Sequence, residues 1–213
     1  MSLVVALLGF VLFIVLLVAL LDYMDFFKKP VIKADILQAN TYIAFTFRGT
    51  LGDITLCTRY ALKEIRKVTG RINYFPKIYC LYHNHEDVNP ATNTIQYTLL
   101  FPVDSVSGLK EKIDQSEKKD SLFLFSLPSL RIASTSFTFR NFLSYSLGQM
   151  RIYPFITKYA RKNGITDTNT VLECYSTDNP IIYSLVLEKT ELFDVLRNRS
   201  PVLVDQIFRR EAW

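Results

Sequence analysis

"FTFRG" at residues 45–49 returns as "FTFRN" at residues 137–141, and the two copies begin 92 residues apart. Each closes a segment rich in β-branched and aromatic residues, "TYIAFTFRG" (41–49) and "IASTSFTFR" (132–140), which reads as a strand. Downstream the two stretches stay in step. After the first, "LGDITLCTRYALKEIRKVTG" (51–70) puts Ile54, Cys57, Ala61, Ile65 and Val68 on one helical face. Arg59, Lys63, Glu64, Arg66 and Lys67 take the other face, and Gly70 supplies the stop. After the second, "LGQMRIYPFITKYARKNG" (147–164) is helical, with Pro154 in its first turn or kinking it, and Gly164 closes it. Two strands follow each helix: "KIYCLYH" (77–83) and "TIQYTLLFPV" (94–103), then "VLECYS" (171–176) and "IIYSLVLEK" (181–189). Gly70 and Gly164 are 94 apart, Tyr82 and Tyr175 93 apart. The expectation is an internally duplicated β-α-β-β unit, with Phe45 over Phe137 and Tyr82 over Tyr175.

Duplication has a physical rationale. One such unit is a three-stranded sheet with a helix on one face, and part of its apolar surface stays uncovered. Two units related by a pseudo-twofold axis can pair strands and shelter what lies between their helices and the shared sheet. The fold class is therefore α+β, and a ligand would enter the groove between the halves. The charged stretch 104–121, "DSVSGLKEKIDQSEKKDS", reads as the connector, and "LFLFSLP" (122–128) as a strand leading into the second half.

Ahead of both halves, Leu3 to Leu21 contains nineteen residues without a charge. At helical rise that spans about 28 Å, close to the hydrocarbon thickness of a bilayer. A transmembrane anchor of the signal-anchor kind is the leading reading. A cleaved signal peptide would want a basic start and a small-x-small cleavage site, neither of which is evident; a buried core helix is the third alternative. No Lys or Arg precedes the run, whereas Lys28, Lys29 and Lys33 follow it. Basic residues favour the cytoplasmic side, so the short N-terminus is expected to be lumenal and the rest cytosolic. Domain boundaries follow: 1–33 as anchor and juxtamembrane segment, then one domain over 34–213, with halves at about 40–103 and 130–190.

The remaining counts are compatible with a cytosolic body. Cys57, Cys80 and Cys174 lie in apolar segments and, being three, cannot all pair. The net charge of +5 suits a chain beside an anionic leaflet. Without a basic-aromatic groove pattern it does not imply nucleic-acid binding.

With "FTFRG", "GDITLCTRYALKEI", "LFLFSLPS", "RIYPFITKYARKNG" and "VLECY" in this order, the chain resembles the GyrI-like domain, built from two β-α-β-β halves of the SHS2 kind. More closely it resembles the testis-expressed protein 264 family, over essentially its whole length. The resemblance implies a single-pass endoplasmic reticulum membrane protein whose GyrI-like domain faces the cytosol. It further implies an adaptor or receptor in autophagy of the reticulum (reticulophagy), with Atg8-type proteins and the p97 unfoldase as partners. Receptors of this family carry a long acidic tail with an aromatic-x-x-aliphatic motif. This sequence ends at Trp213, and its own match is "ELFDVL" (191–196), with Phe193 and Leu196 as the motif residues. Such motifs bind as an added strand. Here Leu192, Val195, Leu196 and Arg199 have helical spacing, so a folded helix and little Atg8-type binding are expected.

Glu173 is the foremost candidate for chemistry. It sits mid-strand among apolar neighbours, and the resemblance implies that a glutamate at such a place meets cationic ligands in the central groove. A carboxylate there has a shifted pKa and attracts cations. Tyr82, Tyr97, Tyr175 and Tyr183 are candidates for aromatic walls around a cation, with core packing as the alternative. His83 and His85, followed by Glu86 and Asp87, look like zinc ligands, but no third His exists and a solvated turn is the better reading. A Cys80–His83 pair would lack a group to orient the imidazole. No nucleophile elbow, phosphate loop or dinucleotide fingerprint is present, so no cofactor or metal is expected and the chain reads as a binding protein, not an enzyme. The alternative is a membrane-tethered GyrI-like small-molecule binder or hydrolase.

Overall fold

The computed structural model describes residues 3–71, 73–83, 94–117, 122–166, 170–176 and 180–211. The apolar run forms α1 (Leu3–Tyr23), in which no residue is buried. Its length is about 31 Å at helical rise, and it is long and apolar enough to cross a membrane. Beyond it the chain turns through Asp25, whose φ is +57°. Met24 and Pro30 are buried against the body of the protein, and β1 (Lys33–Leu37) joins the sheet.

The first half is β2 (Asn40–Gly49), α2 (Ile54–Thr69), β3 (Lys77–His83) and β4 (Ile95–Pro102). After α3 (Leu109–Gln115) and β5 (Leu124–Leu127), the second half repeats the order as β6 (Leu130–Phe137), α4 (Leu143–Lys162), β7 (Val171–Ser176) and β8 (Ile181–Val186). The chain continues through α5 (Asp194–Arg197), β9 (Val202–Leu203) and α6 (Val204–Glu211). The strands form one sheet in the order β1-β6-β8-β7-β3-β4-β2-β5, antiparallel throughout this path, with β9 parallel to β2. Its inner six strands read the same from either end once the halves are exchanged. This is the arrangement expected for a pseudo-twofold duplication.

The register locates the axis. Cys80 of β3 pairs with Glu173 of β7, and those two positions are 93 residues apart, the spacing of Tyr82 and Tyr175. The pseudo-twofold therefore passes between Cys80 and Glu173. Outward from Cys80 the cross-strand partners are Leu99 and then Phe45. Outward from Glu173 they are Tyr183 and then Thr135. Phe45 is thus the counterpart of Thr135, and Phe47 that of Phe137, which corrects the expected pairing of Phe45 with Phe137. The tetrapeptide has slipped by two residues between the halves. A slip of two keeps every side chain on its own face of the strand, so the hydrophobic pattern tolerates it. The second copy consequently runs off the end of β6, and its Thr138, Phe139 and Arg140 are not in the sheet.

Both long helices cover one face. α2 buries Cys57, Ala61 and Ile65 over Phe47, Tyr97 and Leu99. α4 buries Ile152, Ile156 and Ala160 over Ala133, Tyr183 and Leu185. The helix α4 starts four residues earlier than its spacing predicts and runs through Pro154. The opposite face, lined by Leu81, Leu100, Leu172 and Val186, is filled by Phe193 and Leu196. Within the predicted connector, Leu109 and Ile113 of α3 are buried against the α2 side of the core. Two apolar residues four apart suffice to seat a short helix that its charged neighbours disguise in the sequence.

Candidate functional site

Alternation along β7 sends Glu173 to the helix-covered face, where it is 1% exposed. It sits between the two helical cores, which meet at Tyr175. Burying a bare carboxylate is costly unless its oxygens are satisfied. Here Tyr153 Oη donates to Oε1 at 2.8 Å and Gln149 Nε2 donates to the same oxygen at 3.0 Å. The Tyr175 hydroxyl donates to Oε2, and the hydroxyls of Tyr82 and Tyr175 lie 3.1 Å apart. None of the three donors carries a positive charge. Burial pushes the Glu173 pKa up from 4.5 to about 7, and the hydrogen bonds from Tyr175, Tyr153 and Gln149 restrain the rise. The same burial raises the tyrosine hydroxyls well above their usual range, so they remain protonated donors.

Above this cluster, between α2 and α4, opens a cleft of about 510 Å³. Tyr82 and Tyr175 form its floor with Ile78 and Leu99, Phe142, Tyr145 and Gln149 form the α4 wall, and Arg59 lines the α2 side. Glu173 lies one hydrogen bond below, reached through Tyr175 and Gln149. Gly148 lets α4 come this close to the sheet: a Cβ there would overlap the Tyr183 hydroxyl and crowd the Phe137 ring.

Two of the four expected tyrosines therefore line the cleft. Tyr97 and Tyr183 do not: both are fully buried. Tyr97 donates to Cys57 Sγ at 3.0 Å, while Tyr183, beside Glu173 on β8, has a buried hydroxyl without a hydrogen-bond partner. Gln149 and Tyr153 were not singled out in the sequence. Their signal was present: Tyr145, Gln149 and Tyr153 recur every four residues, a stripe of α4 beside its buried face of Gly148, Ile152 and Ile156.

The other candidates lie elsewhere. Of "HNHEDVNP", only His83 falls within the described residues; His85, Glu86 and Asp87 lie outside them. His83 is buried on the face opposite Cys80, since residues three apart on a strand point apart, so the two form no pair. Its Nε2 lies 2.7 Å from Thr98 Oγ1. Burial, with the nearby Arg197 charge, lowers its pKa to about 4. Among the described residues no group of three or more His, Cys, Asp or Glu is placed to hold a metal. Phe193 and Leu196 are fully buried in the turn and helix of 190–197.

No protein-family model and no curated protein matches the chain. Solved structures do. The C-terminal domain of EcmrR is similar at a TM-score of 0.52 and 12% identity, covering 76% of this chain and 99% of that one. SAV2435 bound to tetraphenylphosphonium has a TM-score of 0.45 and 8% identity, covering 76% of this chain and 96% of that one. A hydrolase from Listeria innocua has a TM-score of 0.44 and 10% identity, over 76% and 95%. At such identities the likeness concerns fold: the chain has a GyrI-like fold, two β-α-β-β halves under one curled sheet, preceded by an apolar helix.

Proposed function

We propose that the protein is a membrane-anchored receptor for a small, largely apolar ligand bearing a cationic or hydrogen-bond-donating group. The ligand enters the cleft between α2 and α4 and is recognised through Glu173. One observation carries this reading: a carboxyl at the pseudo-twofold axis is fully buried yet held by neutral donors alone. A cation in the aromatic cleft would complete what those donors leave unbalanced. The reading is of binding and not catalysis, since the acid acts from beneath the tyrosine floor. The anchor and the three lysines after it support a cytosolic body on an internal membrane, with the endoplasmic reticulum as the family resemblance implies. An adaptor role with Atg8-type or p97 partners would work through surfaces other than Phe193 and Leu196, which serve the core.

Tetraphenylphosphonium is a suitable probe of an apolar cation. Added to the full chain in neutral detergent, it should raise Tm more at pH 8 than at pH 6, because the carboxylate form predominates above about 7. Glu173→Gln should abolish the shift while keeping the fold. An equal shift in wild type and variant would remove Glu173 from recognition. Orientation is tested separately: protease added to intact microsomes should digest 34–213, and full protection would reverse it.

A further inference from the structure

A second cavity, of about 450 Å³, lies on the far side of the second half, where α1 meets the domain. We propose that it binds the phosphorylated headgroup of a membrane lipid. Its wall begins at Asp25, two residues past the end of α1, so it sits where a spanning helix would leave the bilayer. Lys28, Lys29 and Lys33 line it together with Ser134, Thr135 and Ser136 of β6. Phe137 and Ile152 close the base, a surface suited to the carbon face of a glycerol or inositol unit.

The donors here are unspent. Among the described residues no ion pair engages any of the three lysines. The one acid in the wall, Asp25, accepts a hydrogen bond from Thr138 Oγ1 at 2.6 Å. Thr135 is buried, and its hydroxyl, in the wall of the cavity, has no hydrogen-bond partner. Such a group is normally satisfied in a native structure. The pairing of β1 with β6 stops at Lys33 opposite Ser134, which leaves the β6 edge beyond it facing the cavity. Ammonium groups, a hydroxyl and an open strand edge together match a phosphate monoester, which accepts several charge-assisted hydrogen bonds.

The placement is fixed as well as complementary. Met24 is buried in the domain and Arg140 lies over the Tyr23 ring at 5.2 Å, so the helix end cannot swing away without breaking both contacts. A lipid in the same leaflet is present at high effective concentration, and a modest intrinsic affinity suffices.

The test uses the full chain in neutral-detergent micelles doped with phosphatidylcholine, phosphatidylserine or phosphatidylinositol 4-phosphate, with retained lipid counted by native mass spectrometry. Phosphatidylinositol 4-phosphate should be retained over phosphatidylserine at matched charge. Replacing Lys28, Lys29 and Lys33 by Gln should weaken retention about fivefold per lysine, whereas K110Q/K158Q/K162Q, the same charge change elsewhere, should not. Thr135→Val should weaken it about tenfold, as loss of a hydrogen bond to a charged group does, and Thr135→Ser should keep it. Equal retention of the two anionic lipids, or indifference to Thr135→Val, would reduce the site to diffuse surface attraction and overturn the proposal. Equally tight binding of soluble inositol 1,4-bisphosphate would assign the cavity to a free phosphate and overturn the lipid assignment.

Discussion

In the first half Arg48 lies inside β2, and its guanidinium donates to Gln96 Oε1 at 3.2 Å; in the second, Arg140 has left the sheet and lies over Tyr23 at the end of the apolar helix α1. The same contrast runs through both tetrapeptides. Thr46 pairs with Thr98 at 2.8 Å within the sheet, while Thr138 holds Asp25 of the turn that follows α1. Phe47 packs under α2, whereas Phe139 meets the Tyr145 ring at a tilt near the start of α4. The three residues lie within the sheet in one half, whereas in the other Thr138 and Arg140 hold the end of α1 and Phe139 meets α4. Position in the strand register, not residue identity, sets the role.

The axis itself shows the same divergence. Cys80 and Glu173 face each other as repeat equivalents, yet one is a buried thiol and the other a buried acid. A cysteine is an apolar filler. A glutamate needs donors, and α4 supplies two of them from the stripe that includes Gln149 and Tyr153.

The largest test of this comparison is of register. Phe47→Ala and Phe137→Ala, both in buried equivalent positions, should each cost about 3–5 kcal/mol in denaturant unfolding of the full chain. Phe45→Ala and Phe139→Ala, half-buried, should cost about 1–2 kcal/mol. Matching losses at Phe45 and Phe137, with Phe47 mild, would restore the unslipped alignment.

Next is the acid at the axis. Its folded pKa is raised to about 7 from 4.5, so between those values the folded state keeps a proton that the unfolded chain has lost. Stability should therefore fall as pH rises through that window, by up to about 3 kcal/mol for this group. Glu173→Gln should remove the fall and exceed wild type in Tm at pH 8, with the difference closing below pH about 4.5. Cys80→Ser should leave the pH profile alone. A wild-type profile in the Gln variant would mean that other groups carry the dependence.

Smaller effects separate the two threonines and the two arginines. Thr138→Val should cost about 1 kcal/mol and speed protease cleavage within 24–33. Thr46→Val should cost a similar amount without touching that cleavage. Arg140→Ala should loosen the same segment by about 0.5–1 kcal/mol, and Arg48→Ala should fall within about 0.5 kcal/mol of wild type. Equal protease sensitivity in both copies would erase the distinction.

The apolar helix, the two β-α-β-β units and the glycine stops, Gly70 and Gly164, both at positive φ, are legible in the residues alone. These depend on local period and on backbone freedom, which neighbouring residues encode. The sequence also singled out Glu173, because an acid amid apolar strand residues is conspicuous. Tertiary structure alone decided the rest. The slip of "FTFR" was hidden because a shift of two preserves the alternation that marks a strand. Tyr97 and Tyr183 could not be told from Tyr82 and Tyr175 by composition, since all four lie on strands and only the placement of α2 and α4 decides which are roofed over. The lysine-lined cavity depends on where β1 stops pairing with β6, and strand pairing is a contact between residues about a hundred positions apart. No local pattern records such a contact; it exists only once the sheet has closed.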